Sequence, residues 1–261
     1  MTPIPAQLLR SIRWLVFLDY DGTLVPISAH PVLAKLTALQ RMLLEELSRL
    51  TPVMLVSGRS LPDLRNMIGL RSIGYIGNHG LEMHWQERHW VHPGFPHLAA
   101  TMRSLVGSAI KAIADIPGVW LEDKQMTATL HFRQASAANA ALAYSRLELL
   151  TMPHQQEVEL RFGKKVFELR PRLDWHKGKA VLLASEWLGF STDAGIIYIG
   201  DDDTDEDAFQ ELGRTANAYT FLVGSGRESL AGHRLSGVPA VWGFLERLLR
   251  VLGTGVPATR P

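Results

Sequence analysis

Residues 15–24 read Leu15-Val16-Phe17-Leu18-Asp19-Tyr20-Asp21-Gly22-Thr23-Leu24, and this run decides how the rest of the chain is read. An apolar stretch of strand length ends abruptly in two carboxylates spaced i, i+2. On a strand such residues project to one side, so both acids face the same place just past the strand's carboxyl end. Gly22 then lets the backbone turn. Two aspartates so close form a like-charge pair that a cation must balance. One carboxylate to attack phosphorus, a second to handle protons and a divalent metal for charge make up the residue set of phosphoryl transfer. By itself the run also fits two solvated acids in an Asp-Gly turn, so the remaining sequence has to decide.

The chain has 261 residues, 46% apolar and 20% charged, enough for one large domain or two modest ones with a real core. Its 27 basic and 26 acidic residues nearly cancel, which gives no electrostatic sign of a nucleic-acid or membrane-surface partner. Cysteine is absent, excluding disulfides, thiolate catalysis and Cys-ligated zinc. Residues 1–10 lack a basic segment followed by an apolar one, and no apolar run approaches the roughly 20 residues that span a bilayer. The expectation is a soluble, cytoplasmic protein with no membrane partner.

Strands and helices alternate in the first block: a strand over 13–18, a helical stripe over 32–50, a strand over 53–56, a helix over 61–68 and a strand over 74–77. That rhythm predicts a parallel sheet with right-handed crossovers, whose sites collect at strand carboxyl ends. Pro93-Gly94-Phe95-Pro96 breaks the pattern. Helix-strand-strand then occurs twice: a helix over 97–115 with strands at 119–123 and 126–133, and a helix over 137–150 with strands at 157–162 and 166–170. This predicts an inserted antiparallel sheet backed by helices. Alternation resumes with a helix over 177–187, a strand over 195–199, a helix over 205–212, a strand over 218–223 and a helix over 239–251. The expected organisation is an α/β, Rossmann-like core from 1–93 and 173–252, an inserted α+β domain over 94–172, and a frayed tail over 253–261.

Four groups fall just after a buried strand or at a helix start: Asp19/Asp21, Ser57, Lys177 and the run Gly200-Asp201-Asp202-Asp203-Thr204-Asp205. Ser57 offers a hydroxyl, and Ser57-Gly58 backbone N–H groups, to a phosphate oxygen; a helix cap is the ordinary alternative. An ammonium at Lys177 would neutralise a nucleophilic carboxylate and a transferring phosphoryl group. Four acids within six residues behind Ile-Ile-Tyr-Ile suit magnesium. No Gly-x-Gly-x-x-Gly follows the first strand, which argues against dinucleotide binding.

In order and spacing these motifs resemble the haloacid dehalogenase-like phosphatases. The resemblance implies that Asp19 forms an aspartyl-phosphate and Asp21 is the acid and base, with Ser57 and Lys177 holding the phosphate. It also implies a Mg²⁺ site of Asp19, Asp21 (through its carbonyl) and Asp201, with Asp205 or Asp202 in support. The inserted domain is similar to a type-two cap, in the small form of the trehalose-6-phosphate phosphatases. Asp19–Ile27, Ser57-Gly58-Arg59, Gly77-Asn78-His79-Gly80-Leu81-Glu82 and a closing segment made of Val223-Gly224 to Leu230-Ala231 and then Val241 to Leu248 resemble that family, so the similarity covers roughly 13–249.

That likeness implies hydrolysis of trehalose 6-phosphate, with Arg59, Asn78 and His79 near the substrate and Glu122, Lys124, Arg133, Lys164 and Glu168 gripping the glucose units. The cap residues also fit cross-strand ion pairs on an exposed sheet. His176 and His233 depart from the family pattern, and no histidine is required by the chemistry. The expected partner is a small sugar phosphate bound by a monomer, with association with a trehalose-phosphate synthase as a further implication. Alternatives are a phosphatase for another sugar phosphate or a glycosyl-phosphoglycerate, and an inactive sugar-phosphate-binding subunit of a synthase complex.

Overall fold

The structure, a computed structural model, describes residues 13–28, 33–189 and 194–254. In chain order the elements are β1 (Arg13–Asp19), α1 (Ala38–Leu50), β2 (Val53–Val56), α2 (Leu61–Ile68), β3 (Gly74–Gly77), β4 (Glu82–Trp85), β5 (Arg88–Val91) and α3 (Phe95–Ile113). Next come β6 (Trp120–Asp123), β7 (Ala128–His131), α4 (Ala137–Thr151), β8 (Val158–Gly163) and β9 (Val166–Pro171). The chain closes with α5 (Lys177–Trp187), β10 (Ala194–Gly200), α6 (Asp203–Leu212), β11 (Ala218–Val223), β12 (His233–Leu235) and α7 (Val238–Gly253). The described residues divide into two compact units, one lying within 1–90 and 175–261, the other of residues 91–174.

The first unit is built on an eight-stranded sheet ordered β12-β11-β10-β1-β2-β3-β4-β5. β1 lies near its centre, parallel to both β10 and β2, with Asp19 opposite Val56 and Leu18 opposite Ile199. Its alternation feeds two layers. Trp14, Val16 and Leu18 pack with Leu44, Leu47, Phe244 and Leu248, from α1 and α7. Leu15 and Phe17 face the opposite way, with Val181, Ala184, Phe209 and Leu212, from α5 and α6. A strand buried on both faces reads as a continuous apolar run, and β1 does. The parallel strands also end together, so the segments after β1, β2, β3 and β10 converge at one edge.

Local chemistry sets the helix starts. Thr37 caps α1 in a reciprocal box with Gln40. The helix therefore begins at Ala38, six residues later than the apolar stripe predicts; residue 32 lies outside the described residues, as does the tail from 255. β4 and β5, which the sequence reading did not assign, form a hairpin that joins the sheet antiparallel to β3. β12 is likewise an addition, pairing parallel with β11.

The second unit carries a four-stranded antiparallel sheet ordered β6-β7-β9-β8. Leu130 and Phe167 on one face pack with Ala109, Ile113, Ala143 and Leu147 from α3 and α4. Residues of the other parity form a polar face. In register, Glu122 lies opposite Thr129, and Thr129 opposite Glu168, a row across three strands. Among the described residues, no helix is long and apolar enough to cross a membrane.

Candidate active site

β1 delivers Asp19 to the sheet edge with only 4% of its surface exposed. Lys177, the first residue of α5, reaches the same place and is just 2% exposed. Its Nζ donates to Asp19 Oδ1 at 2.7 Å and to Asp205 Oδ1 at 2.8 Å, with Asp202 Oδ1 at 3.9 Å. Burial works against the ammonium, but Asp19, Asp205 and Asp202 outweigh it and hold Lys177 well above the ordinary lysine range. Burial pushes Asp19 up; Lys177 opposes this, while Asp205, Asp201 and Asp202 add to it.

The acidic run divides its labour. Asp202 caps α6, its Oδ1 accepting from Thr204 N at 2.9 Å, Thr204 Oγ1 at 2.7 Å and Asp205 N at 3.2 Å. Burial would raise Asp202, but Lys177 and the Thr204 hydrogen bond hold it below the usual carboxylate range. Asp205 is fully buried and accepts four hydrogen bonds. Lys177 Nζ and Tyr198 OH, at 2.8 and 2.7 Å, donate to Oδ1. The backbone N–H groups of Asp201 and Asp202, at 2.9 and 3.0 Å, donate to Oδ2. Four is about the capacity of a carboxylate. Burial, opposed by Lys177 and aided by Asp202, pushes Asp205 up to about 6.

Asp19, Asp201 and Asp205, all buried, each place a carboxylate oxygen within 4.8 Å of the others. Three buried acids, with Asp202 beside them, stand against the single ammonium of Lys177. That donor set is all hard oxygen and fits a divalent cation such as Mg²⁺ or Ca²⁺. Gly22 supports the fit: at φ +93° a side chain is strained, and a Cβ would fall 2.3 Å from the Asp201 carboxylate oxygens. Thr23 Oγ1 approaches the same carboxylate at 3.4 Å.

Ser57 and Arg59 form the wall after β2. Ser57 is buried, its N–H donates to Ile76 O at 2.9 Å, and its Oγ accepts from Arg59 N at 3.1 Å. The Arg59 guanidinium grips Asp21: Nε donates to Oδ2 and a terminal nitrogen to Oδ1, both at 2.6 Å. The Asp21 side chain is 38% exposed. His79 packs over Gly58, where a Cβ would lie 2.4 Å from the imidazole. Asn78 is fully buried and donates to Glu82 Oε1 at 2.6 Å; the same oxygen accepts from Leu61 N at 2.7 Å. Asn78 thus braces the start of α2 and is not brought into the acid cluster.

On the second unit's sheet, His131 Nε2 lies 2.8 Å from Glu122 Oε2, and the His131 ring stacks on Trp120 at 3.9 Å. Glu168 pairs with Arg170, and Lys124 is buried. Arg133 donates to the Lys164 carbonyl at 3.3 Å, beside the β8–β9 turn. Thr129, central in the Glu122–Glu168 row, is buried with its Oγ1 unmatched by a hydrogen bond. Sequence reasoning passed over Thr129 and gave Tyr198 and Glu82 no role of their own. Tyr198 was legible only as one apolar position in a buried strand. His233 stacks on Phe221 at 5.0 Å, and His176 Nε2 stands 3.9 Å from Glu211.

A Rossmann-like sheet with a buried Asp–Lys–Asp cluster at its carboxyl edge and a small antiparallel α+β unit defines a haloacid dehalogenase-like phosphatase. Comparison with known proteins narrows the class: a sequence model described as trehalose-phosphatase matches residues 17–233, and the chain belongs to that family. The "Probable trehalose-phosphate phosphatase C" of Arabidopsis thaliana is 34% identical over 249 residues, covering 90% of this chain and 77% of that protein. A solved structure described as a trehalose-6-phosphate phosphatase related protein is 27% identical, with a TM-score of 0.81 over 92% of this chain and 98% of its own. The C-terminal domain of the C. albicans trehalose-6-phosphate phosphatase shares the fold at a TM-score of 0.76 and 23% identity, over 96% of this chain and 97% of that one.

Proposed function

We propose that the chain is a Mg²⁺-dependent phosphatase of the cytoplasm that hydrolyses trehalose 6-phosphate to trehalose and phosphate, with Asp19 as nucleophile. The observation that carries this reading is the buried Lys177 bridging Asp19 and Asp205 beside Asp201. Asp19, Asp201 and the Asp21 carbonyl would hold Mg²⁺, which supplies charge neutralisation of the phosphate when bound. Asp205, with its oxygens already filled, supports that site by fixing Lys177 and the 201–202 backbone.

In the first half of the reaction, an Asp19 oxygen bonds to phosphorus as the bond to the sugar oxygen breaks, and Asp21 gives that oxygen a proton. Lys177 and the Ser57 hydroxyl offset the charge gathering on the phosphoryl oxygens. In the second half, Asp21 takes a proton from water as the water oxygen bonds to phosphorus and the Asp19–phosphorus bond breaks. Both groups return to their starting states. Sugar selection falls to Glu122, Lys124 and Glu168, which supply forks of donors and acceptors to hydroxyl groups.

Trapping tests the nucleophile. Rapid acid quench during turnover, followed by borohydride reduction and peptide mass mapping, should place homoserine at position 19, and Asp19→Asn should abolish both label and turnover. A label on any other residue, or undiminished turnover by Asp19→Asn, would refute the assignment.

A further inference from the structure

Arg59 invites assignment as a phosphate or sugar contact, yet its geometry points elsewhere. The guanidinium fork closes on both oxygens of Asp21 at 2.6 Å. A fork of this kind fixes the plane and direction of its partner carboxylate. The fork is itself held on several sides. Arg59 N donates to Ser57 Oγ at 3.1 Å, and Arg59 O accepts from Asn78 N at 2.7 Å. Its guanidinium carbon lies 5.5 Å from the centre of the Tyr20 ring, and Tyr20 OH in turn donates to Ala34 O at 2.7 Å. Arg59 is buried, whereas the carboxylate it grips is partly open. The buried partner is the anchor and the open one is the working group.

We infer that Arg59 is a positioning residue for Asp21 in the hydrolytic half of the reaction, holding the carboxylate aimed at the attacking water. The inference rests on the assignment of Asp21 as acid and base. In the first half Asp21 meets an oxygen already fixed in the bound substrate, whereas in the second its carboxylate has to be aimed at a free water. In that half-reaction one water proton passes to Asp21, the water oxygen bonds to phosphorus and the Asp19–phosphorus bond breaks. Arg59 takes part in none of these exchanges. Without it the carboxylate is free to swing away from the water, and phosphoryl-enzyme breakdown is the step that suffers.

Stopped-flow turnover of p-nitrophenyl phosphate, with Mg²⁺ present, separates the two halves. p-Nitrophenolate leaves without needing a proton, so the first turnover reports transfer to Asp19 and the steady state reports breakdown as well. Arg59→Ala should show a burst of about one p-nitrophenolate per protein, at a first-turnover rate close to that of the unsubstituted protein. Its steady-state rate should then be about 10- to 100-fold lower. Arg59→Lys, which keeps the charge and loses the fork, should fall between the two, and it carries the test alone if Arg59→Ala does not fold. Equal slowing of burst and steady state with a raised KM would make Arg59 a phosphate contact and overturn the inference, as would an unchanged steady state. Asp21→Asn should also burst and then stall. If it does not, the acid–base assignment itself falls, whatever Arg59→Ala does.

Discussion

Replacing Lys177 with Met should cost the protein more stability than almost any other single change in the first unit. Methionine matches the apolar stem of lysine out to Cε and lacks only the ammonium, so the loss reports chiefly on charge. The ammonium sits 2.7 and 2.8 Å from oxygens of Asp19 and Asp205. At an effective dielectric constant of about 20, each contact is worth roughly 6 kcal/mol before desolvation is counted. Desolvation offsets much of that, but removing one partner of a buried pair leaves its counter-charge stranded, typically at about 3–5 kcal/mol. Urea denaturation of the metal-free protein followed by tryptophan fluorescence should therefore show a loss of about 3–5 kcal/mol near pH 7.5. The deficit should shrink toward pH 5, because protonation discharges the acids left behind. Adding Asp205→Asn to Lys177→Met should recover part of the loss. A loss under about 1 kcal/mol, the range of an exposed pair, or no recovery in the double variant, would refute the charge-balance account of this cluster.

Two further outcomes follow from residues on either unit. Burial raises the Glu82 carboxyl above its ordinary value, so the folded protein holds this proton at pH values where the unfolded chain releases it. Stability from this group is greatest at low pH and declines as pH rises through the folded-state value; Glu82→Gln should flatten that slope in Tm measured from pH 4.5 to 8, and an unchanged slope would show that Glu82 is not its source. Glu122→Ala and Glu168→Ala should raise KM for trehalose 6-phosphate by about 10- to 100-fold, the worth of a charged hydrogen bond. They should leave p-nitrophenyl phosphate turnover nearly intact, and equal losses on both substrates would remove these residues from sugar selection.

The parts of this molecule legible in its sequence are those where one residue type answers to one demand. β1 is continuous apolar sequence because it is buried on both faces, and Asp19 and Asp21 announce themselves by ending it. Lys177 is legible only in company: alone a lysine opening a helix reads as solvated, and its order between the Asp19/Asp21 and Asp201–Asp205 motifs, directly before Gly178, is what singles it out. β4 and β5 were not, because Glu82-Met-His-Trp85 and Arg88-His-Trp-Val91 mix charged and aromatic residues without a clean two-residue alternation. The α1 start was misplaced because apolar residues continue upstream of Thr37, whose capping role depends on Gln40 folding back. Arg59 and Asp205 show the deeper limit. Their residue types suggest substrate and metal, but the partners that hold them lie far away in sequence, Asp21 for one and Lys177 with Tyr198 for the other, and no local pattern announces those pairings.

The central claim is a Mg²⁺-dependent phosphatase selective for trehalose 6-phosphate, and the most direct test is phosphate release across a sugar-phosphate panel with and without Mg²⁺. The panel should include trehalose 6-phosphate, glucose 6-phosphate, sucrose 6-phosphate and a glucosyl-phosphoglycerate. The account predicts the highest kcat/KM on trehalose 6-phosphate, loss of that activity in chelator and its return when Mg²⁺ is restored. Equal or faster turnover of another member would contradict the substrate assignment, and full activity in chelator would contradict the metal site of Asp19 and Asp201.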